Sequence, residues 1–124
     1  MYTAVVLTPD SHNKLIESLR DVIPPTWEKI AHHMTVNMGS FVSGPASHDF
    51  HLGQNYELKV VSLAYDDKVM AVGVNCVVPS SNTVKHITIA VNRQGGGKPF
   101  LSNKLTNWQQ TTPIDLIGIL EEVS

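Results

Sequence analysis

Cysteine is almost missing from this chain: Cys76 stands alone among 124 residues. No internal disulfide can form, and a cysteine-based zinc site is excluded. Long apolar runs are missing too, so no stretch reaches the length of a membrane span. The first residues lack the basic cluster that opens a secretory signal. Excess positive charge is also lacking. Nine Lys and Arg stand against eleven Asp and Glu, which leaves a formal charge of −2 and a pI near 6.3. No global basic field exists to hold long duplex nucleic acid by counterion release. A small anion or the end of an RNA can still be held by local donors. These absences predict a reducing, cytoplasmic compartment, with neither membrane nor long duplex nucleic acid as partner; a monomer is the default expectation.

What is present is ordinary for a globular protein: 42% hydrophobic and 16% charged residues. The length suits one domain over residues 1–124. Tyr2 to Leu7 is β-branched and apolar and reads as a strand. Thr8 then offers an N-cap and Pro9 a first helical position. Leu15, Ile16, Leu19, Val22 and Ile23 recur at helical spacing, so residues 9–22 read as a helix ended by Pro24-Pro25. Ile30 to Met38 reads as a second strand and residues 39–54 as a loop. Tyr56–Tyr65 and Lys68–Val78 read as strands joined by a turn at Asp66-Asp67. After a loop at Pro79–Asn82, Val84–Asn92 reads as a strand. Gly95-Gly96-Gly97 reads as a flexible loop, Pro99–Leu105 as a short helix, and Ile114–Glu122 as the last strand, with Gly118 at a bend or close approach. The order β-α-β-β-β-β-α-β predicts an α+β domain built on antiparallel sheet.

Two strings carry the chemistry: His33-Met34-Thr35-Val36 and His86-Ile87-Thr88-Ile89. Residues two apart on a strand share a face. Each string therefore sets an imidazole beside a hydroxyl. On the first strand Ile30, His32, Met34, Val36 and Met38 fall on one side, and Ala31, His33, Thr35 and Asn37 on the other. On the later strand Lys85, Ile87, Ile89 and Val91 oppose Val84, His86, Thr88, Ala90 and Asn92. A polar face that meets bulk solvent favours Lys and Glu. Two copies of His, Thr and Asn instead suggest a lined groove. One His-x-Thr means little; two, each flanked by apolar residues at matched offsets, mean more.

These residues resemble the two-histidine (2H) phosphoesterase superfamily, which is defined by paired His-x-Thr/Ser-x strands. Further strings, Tyr2–Leu7, Asp67–Val74, Lys98-Pro99, Ser102-Asn103, Trp108 and Ile117–Val123, are similar to the cyclic phosphodiesterase domain of plant and fungal tRNA ligases. The resemblance implies a two-lobed α+β fold, with antiparallel sheets forming a central groove and helices outside. It implies His33 and His86 as the acid–base pair, Thr35 and Thr88 as phosphate-binding residues, and neither metal nor cofactor. The partner it implies is a small nucleotide or an RNA terminus bearing a cyclic phosphate. The reaction it implies is opening of a 2′,3′-cyclic phosphate, or of a related cyclic or 2′–5′ nucleotide. Imidazole suits both proton transfers because it titrates near neutrality. The strand parity adds Asn37 and Asn92 as supporting donors; the glycine run reads as a mobile lid that offers Lys98 as an anion contact, and Arg93, just after the second motif strand, is a similar candidate.

Blander readings stand beside these. His32 has core-side parity, His12 lies on the solvated helix face, and His48 and His51 are loop histidines. Gly95-Gly96-Gly97-Lys98 lacks the spacing of a phosphate-binding Walker loop. Trp27, Trp108, Tyr2, Tyr56 and Tyr65 could stack bases, yet packing is the commoner job. Cys76 reads as buried and inert. The residues leave two rival functions open. One is a non-catalytic nucleotide sensor or sponge on the same scaffold. The other is a histidine metal protein, disfavoured because adjacent strand histidines point to opposite faces.

Overall fold

A computed structural model describes residues 1–124. Strand β1 (Tyr2–Leu7) leads into α1 (Pro9–Ser18). The Thr8 hydroxyl accepts the Ser11 N–H at 3.2 Å, and Pro9 occupies the first turn, where its missing N–H costs nothing. The helix stops at Ser18, four residues short of the end expected at residue 22. Leu19 leaves helical geometry at φ −107°, ψ 6°, yet Leu19 and Ile23 continue to bury themselves in a turn. The helix has ten residues, and no helix is long and apolar enough to cross a membrane.

The remaining strands are β2 (Glu28–Lys29), β3 (His33–Asn37), β4 (Asn55–Tyr65), β5 (Val69–Asn75), β6 (His86–Val91) and β7 (Gln109–Val123). A 3-10 helix (Pro99–Lys104) precedes β7. All the pairings are antiparallel, and they run β6-β3-β1-β7-β4-β5 before returning to β6. The sheet is thus a closed six-stranded barrel, with β2 added alongside β6. This corrects the two-lobed description. Antiparallel sheet is present as expected, but the β5–β6 pairing welds what would be two sheets into one. Closure removes the exposed edges that two separate sheets would carry. The 15-residue β7 makes closure possible, because it pairs with β1 through Gly118–Val123 and with β4 from Gln109 to Ile119. At Gly118, a Cβ would stand 2.6 Å from Val5 Cγ1 and 3.0 Å from the Val6 oxygen, so the expected close approach is real.

The main core gathers Val5, Met34, Val36, Leu58, Val72, Ile87, Ile89 and Leu120 with Leu15, Leu19 and Ile23 from the α1 region. A smaller outer cluster of Ala64, Val69, Ala71, Val91 and Leu105 anchors Leu101 of the 3-10 helix and Trp108.

Simple alternation fails at three points, and each failure moves a residue assigned by parity. Ala31 adopts φ +45° and is fully buried. That kink sends His32 out to solvent and leaves Ile30 on the outer side with Trp108 and Leu101. His32 is therefore exposed rather than on the core side. In β3, Thr35 and Asn37 face the adjacent β1 residues Ala4 and Thr3, so Val36 is an extra residue in a β-bulge. Asn37 turns inward and Met38 outward. In β6, Thr88 and Ala90 face the adjacent β5 residues Ala71 and Met70, so Ile89 is the extra residue. Ala90 joins the main core and Val91 the outer cluster. Both bulges fall immediately after the threonine of a His-x-Thr string.

Candidate active site

The four motif side chains meet. His33, Thr35, His86 and Thr88 line one cleft of about 220 Å³ on the outer face of the β3–β6 pair, together with Ile30, Asn82 and Ser102. The Met34–Ile87 pairing between these strands sets their neighbours side by side. Pro99 and Phe100 of the 3-10 helix form the far wall. A larger groove of about 550 Å³ lies on the other side of His86, lined by Thr83, Asn103, Thr106 and Trp108 among others.

The two imidazoles sit in different surroundings. His33 is half-buried, with the Tyr2 ring 5.0 Å away and His32 Nδ1 2.9 Å from its own Nδ1. Burial, then the neighbouring His32 and His86, push its pKa down to about 4. At neutral pH His33 is uncharged. His86 is buried, and both of its ring nitrogens have partners. Nδ1 lies 2.7 Å from the Val84 carbonyl and Nε2 3.1 Å from Ser102 Oγ. Thr88 Oγ1 lies 2.8 Å from the same Ser102 Oγ. The Trp108 ring stands 6.1 Å from the His86 ring and is fixed by donating Nε1–H to the Leu105 carbonyl. Trp108 lies there because Gly73, paired with His86, has no side chain; a Cβ at that position would run into Ser62 Oγ and touch Trp108.

The residues named as supporting donors are placed elsewhere. Asn37, turned inward by its bulge, donates to the Ser40 carbonyl, and its Oδ1 is buried without a partner. Asn92 lies past the second bulge, donates to the Asp67 carbonyl and accepts the Gly95 N–H. Arg93 is engaged by Glu28 at 2.9 Å. Lys98 is exposed at the start of the 3-10 helix and does not line the cleft. The glycine run is a tight turn rather than an open lid. Gly97 N–H donates to the Asn92 carbonyl, Gly96 N–H to Arg93, and Lys68 Nζ to Gly95.

Other histidines also differ from expectation or lie apart. His12 is half-buried, and its Nδ1 donates to the Ala31 carbonyl at 2.9 Å, bracing the kink that precedes His33. His48 and His51 are exposed, and neither lines the cleft. No three His, Cys, Asp or Glu side chains come together at metal-ligand spacing. Cys76 is half-buried, and burial raises its thiol pKa. Parity gave no sign of Ser102, Asn82 or the His12 brace. Ser102 lies outside both strings, and its position depends on Leu101 and Leu105 packing far along the chain.

Residues 11–120 match the family described as the fungal tRNA ligase phosphodiesterase domain. This chain belongs to that family. The match spans both His-x-Thr strands and the 3-10 helix that walls the cleft. No curated protein and no solved structure matches the chain.

Proposed function

We propose that this domain is a metal-independent phosphodiesterase that opens 2′,3′-cyclic phosphate ends by two-histidine acid–base catalysis. The observation that carries the reading is the convergence of His33, Thr35, His86 and Thr88 in one small cleft. Diagonal neighbours on a sheet face stand about 7–8 Å apart. That separation lets two imidazoles reach opposite sides of one phosphorus.

Water attacks phosphorus and gives its proton to neutral His33. A new P–O bond forms as the P–O bond to one ribose oxygen breaks. His86 gives a proton to that leaving oxygen, and the product is a phosphomonoester. Thr35 and Thr88 donate to the non-bridging oxygens, where charge grows in the transition state. The cleft lining holds no Lys or Arg. Recognition therefore rests on the protonated His86 ring with neutral hydroxyl and amide donors, which suits a single phosphate rather than a polyanion. The larger groove beside His86 has room for the attached nucleoside. An RNA terminus or a small cyclic or 2′–5′ nucleotide fits this reading, and the single free Cys76 fits a cytoplasmic setting.

The test is hydrolysis of 2′,3′-cyclic nucleotides and cyclic-phosphate-ended RNA in excess EDTA, with products read by mass spectrometry. Turnover should persist in EDTA and fall by roughly 10²–10⁴-fold in His33→Ala and in His86→Ala. Tight binding with the nucleotide recovered intact would replace catalysis with a sensor or sponge.

A further inference from the structure

Ser102 is buried, at 2% exposure, and its hydroxyl makes contacts in three directions. Oγ lies 2.8 Å from the Pro99 carbonyl, 2.8 Å from Thr88 Oγ1 and 3.1 Å from His86 Nε2. A serine hydroxyl has one proton and two lone pairs. The Pro99 carbonyl can only accept, so the Ser102 proton belongs to it. Both lone pairs then face donors, one from Thr88 and one from His86. The Val84 carbonyl likewise can only accept, so His86 Nδ1 must donate to it. All four contacts are hydrogen bonds only when His86 carries a proton on both nitrogens. In a neutral ring either Nδ1 faces the Val84 carbonyl without a proton, or Ser102 turns its proton to Nε2 and its Oγ faces the Pro99 oxygen at 2.8 Å without one, leaving the Thr88 hydroxyl, 3.5 Å away, as that carbonyl's side-chain donor.

Resting on the two-histidine reading above, we propose that Ser102 is a positioning residue that keeps His86 doubly protonated and aims its Nε2–H and the Thr88 hydroxyl at a common point. The division of labour follows: His86 is the acid and His33 the base. A 3.1 Å N–H···O contact is long for a charged donor, so a closer substrate oxygen can take the Nε2–H over. Once His86 has given up that proton, the Ser102 hydroxyl can rotate from Pro99 to the bare Nε2 until solvent restores the charge.

The groups around His86 are consistent with this arrangement. β3 contributes His33, the paired β5 residue is Gly73, and the 3-10 helix contributes Ser102. No carboxylate and no Lys or Arg lines either cleft beside the ring. The only other titratable group there, His33, is neutral, so the hydroxyl and the Val84 carbonyl are left to hold the second proton.

The experiment is ¹⁵N NMR of the His86 ring in the ligand-free protein at pH 6.5, for wild type, Ser102→Ala and Ser102→Thr. Both ring nitrogens should resonate as protonated in wild type and in Ser102→Thr, and Nε2 should lose its proton signal in Ser102→Ala. With a 2′,3′-cyclic nucleotide, kcat should fall about 10–100-fold in Ser102→Ala with KM little changed, and Ser102→Thr should recover most of it. A neutral His86 ring in wild type, or a ring state identical in wild type and Ser102→Ala, overturns the proposal. The NMR arm needs no turnover, so an inactive wild type would sink the phosphodiesterase reading while leaving the ring assignment measurable. Should Ser102→Ala fail to fold, Ser102→Cys, with a weak donor of similar size, takes its place.

Discussion

The two His-x-Thr strands share a pattern and differ in almost everything around it. On β3, His33 has the His32 and Tyr2 rings beside it, and its pKa is pushed down to about 4. On β6, His86 is held at both nitrogens and Thr88 is tied into the same hydroxyl. The strings set where the side chains stand; the neighbours set what each can do with a proton. A depressed imidazole is free to accept a proton, and a doubly bonded imidazole is ready to donate one. Symmetry of sequence thus yields asymmetry of role.

The largest expected effect is removal of either ring. His33→Ala and His86→Ala should each lower kcat/KM by roughly 10²–10⁴-fold, measured on a 2′,3′-cyclic nucleotide. Loss in one variant alone would break the pairing of the two strands. Next come the hydroxyls. Thr35→Val and Thr88→Val should each lower kcat by about 10²-fold. Only Thr88→Val should also destabilise the fold, by about 1 kcal/mol in urea unfolding, because only that hydroxyl already makes a hydrogen bond. Equal stability losses would contradict the contrast between a free and a tethered threonine.

Smaller effects separate the two rings by pH. His32 helps hold His33 uncharged, so His32→Ala should raise the His33 pKa and move the acidic limb of kcat/KM up by about one pH unit. A limb that stays put would remove His32 from the site. Stability should report the same group. The folded His33 pKa lies below its ordinary value of 6.5, so the unfolded chain takes up the proton first. The contribution is full above about pH 6.5 and is lost as pH falls through about 4. Between those limits wild type should lose on the order of 2 kcal/mol more than His33→Asn. Parallel unfolding midpoints for the two proteins would contradict the depressed value.

Much of the frame was legible in the chain. The Thr8–Pro9 helix start, the Asp66-Asp67 turn and the two motif strands follow from local rules, because each depends on residues within a few positions; the close approach at Gly118 was marked by the glycine alone, and its partners Val5 and Val6 lie at the other end of the chain. Barrel closure was not legible. It rests on β6 pairing both with β5, its neighbour in sequence, and with β3, far back in the chain, and no periodicity encodes which edges meet. Parity holds along each motif strand only as far as its threonine. Bulges at Val36 and Ile89 flip every later residue, so Asn37 and Asn92 left the face assigned to them. Ala31 at positive φ carried no glycine or asparagine signal, and His32 followed it outward. Ser102 belongs to one of the strings that carry the resemblance, but its contacts with His86 and Thr88 arise from tertiary packing of the 3-10 helix and had no signal in either motif.

One measurement bears most directly on the pairing of His33 with His86: the pH dependence of kcat/KM for a 2′,3′-cyclic nucleotide in EDTA, in wild type and in the two single His→Asn variants. A bell in wild type is expected, with the acidic limb vanishing from the residual activity of His33→Asn and the alkaline limb from that of His86→Asn. Identical bells in all three proteins would show that these two rings do not move the protons.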